Sequence, residues 1–491
     1  MPALTERSAV DLAAAIHRRE VTASEVVGAH IELLEQANPR LNAVVADRFA
    51  QARAEASAVD QRIAMIALRS ADFDELPPLL GVPFTVKESI ALDGMPNTAG
   101  ALARREHRAS RTATAVKRLV AAGAIPIGVT NTSELTLWIE SENPVYGRTN
   151  NPYNPSRTAG GSSGGEGAAV GSGGSVFGVG ADIGGSIRIP ALFCGVFGHK
   201  PSAGLIPNTG MWPSTSGEAA RMLAIGPLAR RAEDLMPLLR IMAGADGQDQ
   251  LVVPIELGDP GEVSLDGLSV TVVEDSSIRP IGRDLRDARA RALGALASAG
   301  ARMRTVSLPG WRSATLPFLA ALQDTEGEDG SVAALLREAG EPSSGLRSLL
   351  FGSVAHTPPT KLTLLAESLP SGAATREKLL ARARALADEL VEAIGDGVLL
   401  HPAQLGVAPR HRATYGRPWL TTSSSIFNLA GVPVTEVPLG LSRQGLPVGV
   451  QVAARHGADH LSIAIALELE AVFGGWVPPP VTGRASFGPG A

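Results

Sequence analysis

The 491-residue chain is 44% hydrophobic and 19% charged, a balance that suits a globular protein with a sizeable core and excludes a disordered or fibrous one. Its formal charge of −5 provides no basic surface for nucleic acid, and its single cysteine, Cys194, excludes a disulfide framework and fits a reducing compartment. Residues 1–30 lack a basic-then-apolar leader, and no run of about 18 apolar residues offers a membrane span, so a soluble cytoplasmic protein is expected.

Residues 8–65 read as helices. Ser8 can cap the run that begins at Ala9, Thr22-Ala23-Ser24-Glu25 offers a capping box, and Val27, Ile31 and Leu34 recur at helical spacing. After Pro77-Pro78, Val82 to Val86 is a strand candidate with Lys87 at its end; taken alone, such a lysine reads as a solvated surface charge. Thr114 to Ala122 predicts an amphipathic helix stopped by Gly123, and Ala124 to Val129 a buried strand. Asn131-Thr132-Ser133-Glu134 then opens a predicted helix carrying Leu135, Thr136, Leu137, Trp138 and Ile139.

The chain turns on Ser156 to Pro190. Twelve glycines lie between Gly160 and Gly185, a density that demands tight turns or backbone N–H groups brought close to a ligand. A flexible linker would not carry the apolar runs Val176-Phe177-Gly178-Val179 and Ile187-Arg188-Ile189-Pro190. No lysine completes a Walker A loop, and every Gly-x-Gly-x-x-Gly reading fails at its last position. Gly-x-Ser-x-Gly does match at Gly160 to Gly164, but a nucleophile elbow follows a core strand, and Asn154-Pro155-Ser156-Arg157-Thr158 is polar and turn-like. What remains is two serines, Ser162 and Ser186, spaced 24 residues apart and each preceded by paired glycines.

Further on, Cys194 sits in an apolar run and reads as a buried structural thiol. His199 has no partner carboxylate at a recognisable spacing, and no His-Glu-x-x-His motif suggests a metal. Leu268–Val273, Asp284–Ala299 and Ala301–Val306 alternate strand, helix and strand, as a parallel or mixed sheet requires. Residues 309–395 break into short helical stretches, Pro317–Gln323, Val332–Glu338 and Arg376–Ile394, without readable chemistry. Val398 to Ala403 is a core strand.

Gly160-Gly161-Ser162-Ser163-Gly164-Gly165, a glycine-rich spacer and Asp182-Ile183-Gly184-Gly185-Ser186-Ile187-Arg188-Ile189-Pro190 together resemble the amidase signature family, as does Gly81-Val82-Pro83-Phe84-Thr85-Val86-Lys87-Glu88. The resemblance covers nearly the whole chain. It implies an α/β fold, a twisted mixed sheet flanked by helices on both sides. It also implies one domain over 1–491: a helical cover (1–70), the signature core (75–310), a variable substrate-access region (311–395) and closing core elements (396–475). The implied roles are Ser186 as nucleophile, Ser162 (after a cis peptide) as proton relay and Lys87 as base. Backbone N–H groups of Ile183, Gly184, Gly185 and Ser186 would form an oxyanion hole, with glycine at 184 and 185 keeping the approach clear. Asp182 and Arg188 would brace the turn, and Ser163 would support Ser162 by a hydrogen bond. Thr136, Leu137, Trp138 and Ile139 would lie at the acyl pocket, if not simply in helix core.

A lysine base works only when neutral, so burial must lower its pKa from about 10.4 towards 7–8. Glu88, next along the strand, would face away and need not restore its charge. The implied reaction is hydrolysis of apolar or aromatic carboxylic amides, with esters, anilides or carbamates as related substrates. It needs no cofactor or metal. The implied partner is a small-molecule amide, with a homodimer left open. The alternatives are the glutaminase subunit of a tRNA-dependent amidotransferase and a non-catalytic scaffold of the same fold.

Overall fold

In the computed structural model, residues 3–68, 76–274, 279–324, 331–341, 356–368 and 372–480 are described. Parts of the variable region, 325–330, 342–355 and 369–371, thus lie outside the described residues. The N-terminal helices form where their caps predict. Ser8 caps α1 (Ala9–His17) by accepting from Asp11 N, and Thr22 and Glu25 close a capping box on α2 (Ala23–Leu41). The helical cover is interrupted by a short strand, β1 (Val44–Asp47), before α3 (Phe49–Leu68).

The remaining strands are β2 (Pro83–Lys87), β3 (Ile125–Thr130), a small pair β4 (Glu142–Asn143) and β5 (Gly147–Arg148), β6 (Phe177–Asp182), β7 (Phe197–Lys200) and β8 (Ala224–Ala229). After them come β9 (Ser269–Glu274), β10 (Arg302–Ser307), β11 (Val398–His401), β12 (Val434–Leu441) and β13 (Pro447–Ala454). Eleven of these form one mixed sheet in the order β1-β3-β2-β6-β8-β7-β12-β13-β11-β9-β10. Strand β2 lies parallel between β3 and β6, whereas β6 runs antiparallel to β8. Every residue of β2, β3, β6 and β8 is buried, as expected of strands covered on both faces. The edge strand β10 is mostly exposed, and its Arg302 and Arg304 discourage pairing with another chain.

Helix α4 (Thr114–Ala121) leads into β3. The glycine-rich run folds as α5 (Gly164–Gly171), strand β6, a turn and α6 (Arg188–Cys194), and both helices are wholly buried. Small residues on α5 allow this: a side chain at Gly167 would strike Pro190 of α6, and one at Gly171 would strike Cys194.

One expected element does not form. The helix predicted from Asn131 is a single 3-10 turn, Glu134–Thr136, with Leu135 and Thr136 at φ of 53° and 60°. The cause is tertiary. The Glu134 carboxylate accepts from Thr357 N and Oγ1 and from Thr360 Oγ1, each at 2.7 Å, and Leu135 turns into a cluster with Ala99, Trp212, Leu336 and Leu364. Among the described residues, no helix is long and apolar enough to cross a membrane.

Candidate active site

Lys87 ends β2, an inner strand between β3 and β6, and is fully buried, with Thr130 of β3 opposite it in register. Its Nζ lies 2.7 Å from Ser162 Oγ. Burial pushes the ammonium down to about 7, although negative charge on Asp182 and, where ionised, on Glu166 and Glu88 pulls it back up. Glu88 therefore does act on the lysine, contrary to expectation, even though its own oxygens turn away to accept from Thr98 N, Ala99 N and Tyr146 Oη.

Ser162 follows a cis peptide from Gly161. The segment Trp138 to Glu140 crosses directly behind this turn: a Cβ at Gly161 would lie 2.7 Å from both Glu140 N and Trp138 O. Ser162 O accepts from Ser141 Oγ at 3.0 Å, and Ser141 Oγ accepts from Gly164 N at 2.9 Å. Ser163 does not support the Ser162 side chain as expected. Its hydroxyl donates to Ala181 O (3.2 Å), because α5 packs it beside β6, and its N–H donates to Ser186 O (3.2 Å). It ties the two serine turns together.

Ser186 stands on the turn between β6 and α6. Exposure falls from 7% at Ser186 to 1% at Ser162 and 0% at Lys87, so the three residues are graded from the accessible serine to the sealed lysine. Asp182 and Arg188 brace this turn from below. Asp182 accepts from Gly185 N (2.7 Å), Ile187 N (3.0 Å) and Arg188 Nε and Nη2 (both 3.0 Å). Burial alone would raise its pKa; the Arg188 charge and these bonds outweigh burial and hold the carboxyl well below the usual range. The same geometry corrects the expected oxyanion hole: the Gly185 N–H is committed to Asp182. Among the described residues, the N–H groups of Ile183, Gly184 and Ser186 have no intramolecular acceptor and remain available.

Glycine at 184 and 185 also has a packing reason. A Cβ at Gly184 would lie 2.9 Å from the Phe318 ring, and one at Gly185 (φ 116°) would lie 2.5 Å from Ser424 Cβ. Phe318 belongs to a cluster with Met222, Ala321 and Ala383 against which Ile183 packs. A cavity of about 560 Å³ shares Met222, Ala321 and Ala383 but contains none of Lys87, Ser162 and Ser186, so it lies beyond the wall of the site.

Of the pocket candidates, Leu137 packs on the Leu135 cluster, Trp138 Nε1 donates to Thr414 Oγ1 (2.9 Å), Ile139 is buried, and Thr136 holds the left-handed turn. Cys194 is buried, its thiol pKa raised by burial, as a structural cysteine requires. His199 does have a carboxylate: Asp459 Oδ1 lies 3.0 Å from its Nε2, 260 residues along the chain and beyond any local spacing rule. Glu166, Asn428, Gln451 and Phe318 also border the site, at positions to which the sequence assigns no role. Only Glu166 carried a local signal, as the one charged residue in the glycine- and alanine-rich α5.

The family model Amidase matches residues 25–462. Fatty-acid amide hydrolase 2-A of Danio rerio is 41% identical, with 97% of this chain and 90% of that protein aligned. A Glutamyl-tRNA(Gln) amidotransferase subunit of Synechococcus sp. (strain WH7803) is 31% identical, over 92% of this chain and 94% of that one. The solved structure of 6-aminohexanoate cyclic dimer hydrolase superposes with a TM-score of 0.81, covering 98% of this chain and 100% of that one at 24% identity.

Proposed function

The chain belongs to the amidase family, a hydrolase acting on carbon–nitrogen bonds other than peptide bonds, and from that premise we propose that it cleaves apolar acyl amides through an acyl-enzyme on Ser186. Lys87, uncharged, takes the Ser162 proton while Ser162 takes that of Ser186, whose oxygen attacks the carbonyl carbon. The N–H groups of Ile183, Gly184 and Ser186 receive the oxyanion, each such donor typically contributing about 3–4 kcal/mol. Run in reverse, the relay delivers a proton to the amine, which otherwise leaves poorly. Water then releases the acid by the same path.

The observation that carries this reading is the 2.7 Å contact between Ser162 Oγ and a fully buried Lys87 whose pKa falls to about 7. A lysine so placed can give up its proton near neutral pH and has a hydroxyl to deprotonate. The preference for apolar acyl groups rests on the 41% identity to a fatty-acid amide hydrolase and on the apolar cluster of Leu135, Leu336 and Leu364 against which the pocket candidate Leu137 packs. The described parts of 311–395 act as the substrate-access region, with Phe318 over the oxyanion turn. A glutaminase role is disfavoured by the lower identity, 31%, to the amidotransferase relative.

Peptide mass spectrometry after a fluorophosphonate probe tests the mechanism. One adduct on Ser186, formed at least about 100-fold more slowly in Ser162→Ala and Lys87→Ala, is expected. An adduct on Ser162 or Ser163 overturns the assignment. A panel of straight-chain acyl amides against glutamine tests the substrate class.

A further inference from the structure

Glu166 lies fully buried on α5 and points at β2 and β3 just short of Lys87. Its Oε2 is 2.6 Å from Thr85 Oγ1, and its Oε1 is 2.7 Å from Thr130 Oγ1. Thr85 is two residues before Lys87 and so shares its face of the strand, while Thr130 is the lysine's register partner on β3. The carboxyl therefore sits beside the lysine within one patch of sheet. The space is made for it: any side chain at Gly178 of β6 would overlap Glu166 Oε2.

Thr85 Oγ1 faces two acceptors, Glu166 Oε2 and Ser175 Oγ, with one proton to give, and this bears on the protonation state of Glu166. Thr85 Oγ1 is also 3.2 Å from Ser175 Oγ, and Ser175 Oγ donates to Phe177 O at 2.6 Å. Ser175 thus has no proton left for Thr85. If Glu166 were ionised, Thr85 would spend its one proton on the carboxylate, and the Thr85–Ser175 contact would lack a hydrogen. If Glu166 is protonated on Oε2, it donates to Thr85, Thr85 donates to Ser175, Ser175 donates to Phe177 O, and Thr130 donates to Oε1. The neutral acid makes one more hydrogen bond than the anion.

We propose that Glu166 holds a proton beside Lys87 as a neutral carboxylic acid, and so puts no negative charge there to hold a proton on the lysine. This rests on the reading of Lys87 as the base; Glu166 is a positioning residue that acts through it. An anion here would draw a proton onto Nζ and silence the base, whereas the acid fixes the ends of β2 and β3 without charging them. Burial pushes Glu166 up to about 8 even with Thr85 and Thr130 counted as donors to its anion and with the Lys87 charge beside it.

Two other carboxylates also draw the lysine up, but each is tied elsewhere: Asp182 of β6 is paired with Arg188 of α6, and Glu88 is engaged by Thr98, Ala99 and Tyr146. Cys194 of α6 is a thiol held neutral by burial, and His30 of α2, pushed down to about 3, is neutral too. Strands β3 and β8 bring no titratable side chain.

Infrared difference spectroscopy, wild type against Glu166→Gln at pH 6.5, tests the proposal on the full chain. The expected result is the carbonyl stretch of a buried protonated carboxyl, present in wild type, absent in the variant and titrating away near pH 8. Other buried acids such as Glu436 cancel in the difference. The acid limb of kcat/KM gives a second readout, whatever its amplitude. Exchanging a neutral acid for a neutral amide leaves the midpoint within about 0.3 unit, whereas removing an anion moves it down by about one unit or more. A missing band, or such a downward move, overturns the proposal. If Glu166→Gln does not fold, Thr85→Val serves: deleting the hydroxyl that accepts from Oε2 shifts the wild-type band to higher frequency, and an unshifted band counts against the proposal. Lys87→Ala separates the two claims, since activity surviving in that variant refutes the base without touching the infrared result.

Discussion

Lys87 shows what one buried amine does to function and stability together. Its folded pKa, about 7, lies far below the unfolded value near 10.5. Between these values the unfolded chain binds a proton that the folded chain does not, so stability rises with pH across that window, and the full penalty persists at and below pH 7. Lys87→Met should therefore abolish amide hydrolysis and yet raise unfolding stability at pH 7 by about 2–4 kcal/mol, the deprotonation cost less one lost hydrogen bond. Urea titrations of both proteins from pH 7 to 10 would check this, with the gap closing as pH rises. A variant less stable than wild type would show that the lysine is not a buried free base. Nothing local betrays this environment: at the end of Val82 to Val86 the residue reads as a surface charge, and burial comes from β3, β6 and α5, which arrive later in the chain.

The element that presents Ser186 is as much a packing solution as a chemical one. Gly184 has no positive φ, so alanine is sterically allowed there apart from the Phe318 ring at 2.9 Å. Gly184→Ala should lower kcat/KM at least about tenfold, and Phe318→Ala in the same chain should recover much of that loss, a coupling of about 1–2 kcal/mol. Gly185→Ala should not be rescued by Ser424→Gly, because its φ of 116° itself excludes a Cβ. Kinetics of the two double-mutant cycles would separate these cases. The loop after β3 makes a second lesson. Periodicity predicts a helix over 131–139, but Glu134 is claimed by residues 356–360, and no local pattern encodes a partner more than 200 residues away. His356 bridges Glu134 (2.7 Å) and Glu341 (3.1 Å); burial would lower its pKa, but the two carboxylates outweigh burial and push it up to about 9. A raised histidine contributes stability that is fully present below about 6.5 and lost as pH rises through 9. The stability difference between wild type and His356→Gln should shrink over that range, opposite in sign to the Lys87 effect. A flat difference would mean that the imidazole is not charged in the folded chain.

Across the whole molecule, the pattern that was legible is contiguous and the pattern that was not is long-range. The glycine-rich run, its two serines and the strand–helix alternation of 268–306 are local, and the sheet forms where they indicate. The joints between distant parts are invisible by the same logic, as His199 with Asp459 shows. Arg188 is the main such joint. From α6 it reaches Asp182 at the end of β6, Ser424 O and Asn428 Oδ1 on the helix Thr422–Leu429, and Gln451 Oε1 of β13, so one guanidinium pins the serine turn to the closing strands. Removing it strands a buried carboxylate. Arg188→Met should cost about 3–5 kcal/mol in urea unfolding and most of the activity, because Asp182 also holds the Gly185 and Ile187 N–H groups. Adding Asp182→Asn should restore part of that stability, since an amide oxygen keeps one acceptor for the turn and leaves no uncompensated charge. The pH dependence has a fixed sign. Asp182 is held far below the usual carboxylate range, so its contribution is complete above the unfolded value near 3.8 and lost only as pH falls through the folded value. In Arg188→Met burial instead raises the stranded Asp182 carboxyl above its unfolded value, so the variant regains stability as pH falls and Asp182 takes up a proton, and the gap to wild type should be widest near pH 7 and narrow steadily towards about pH 4. A gap that does not change between pH 7 and 4 would place the stabilising charge elsewhere, and a double variant no more stable than Arg188→Met would make the joint one of shape rather than of charge.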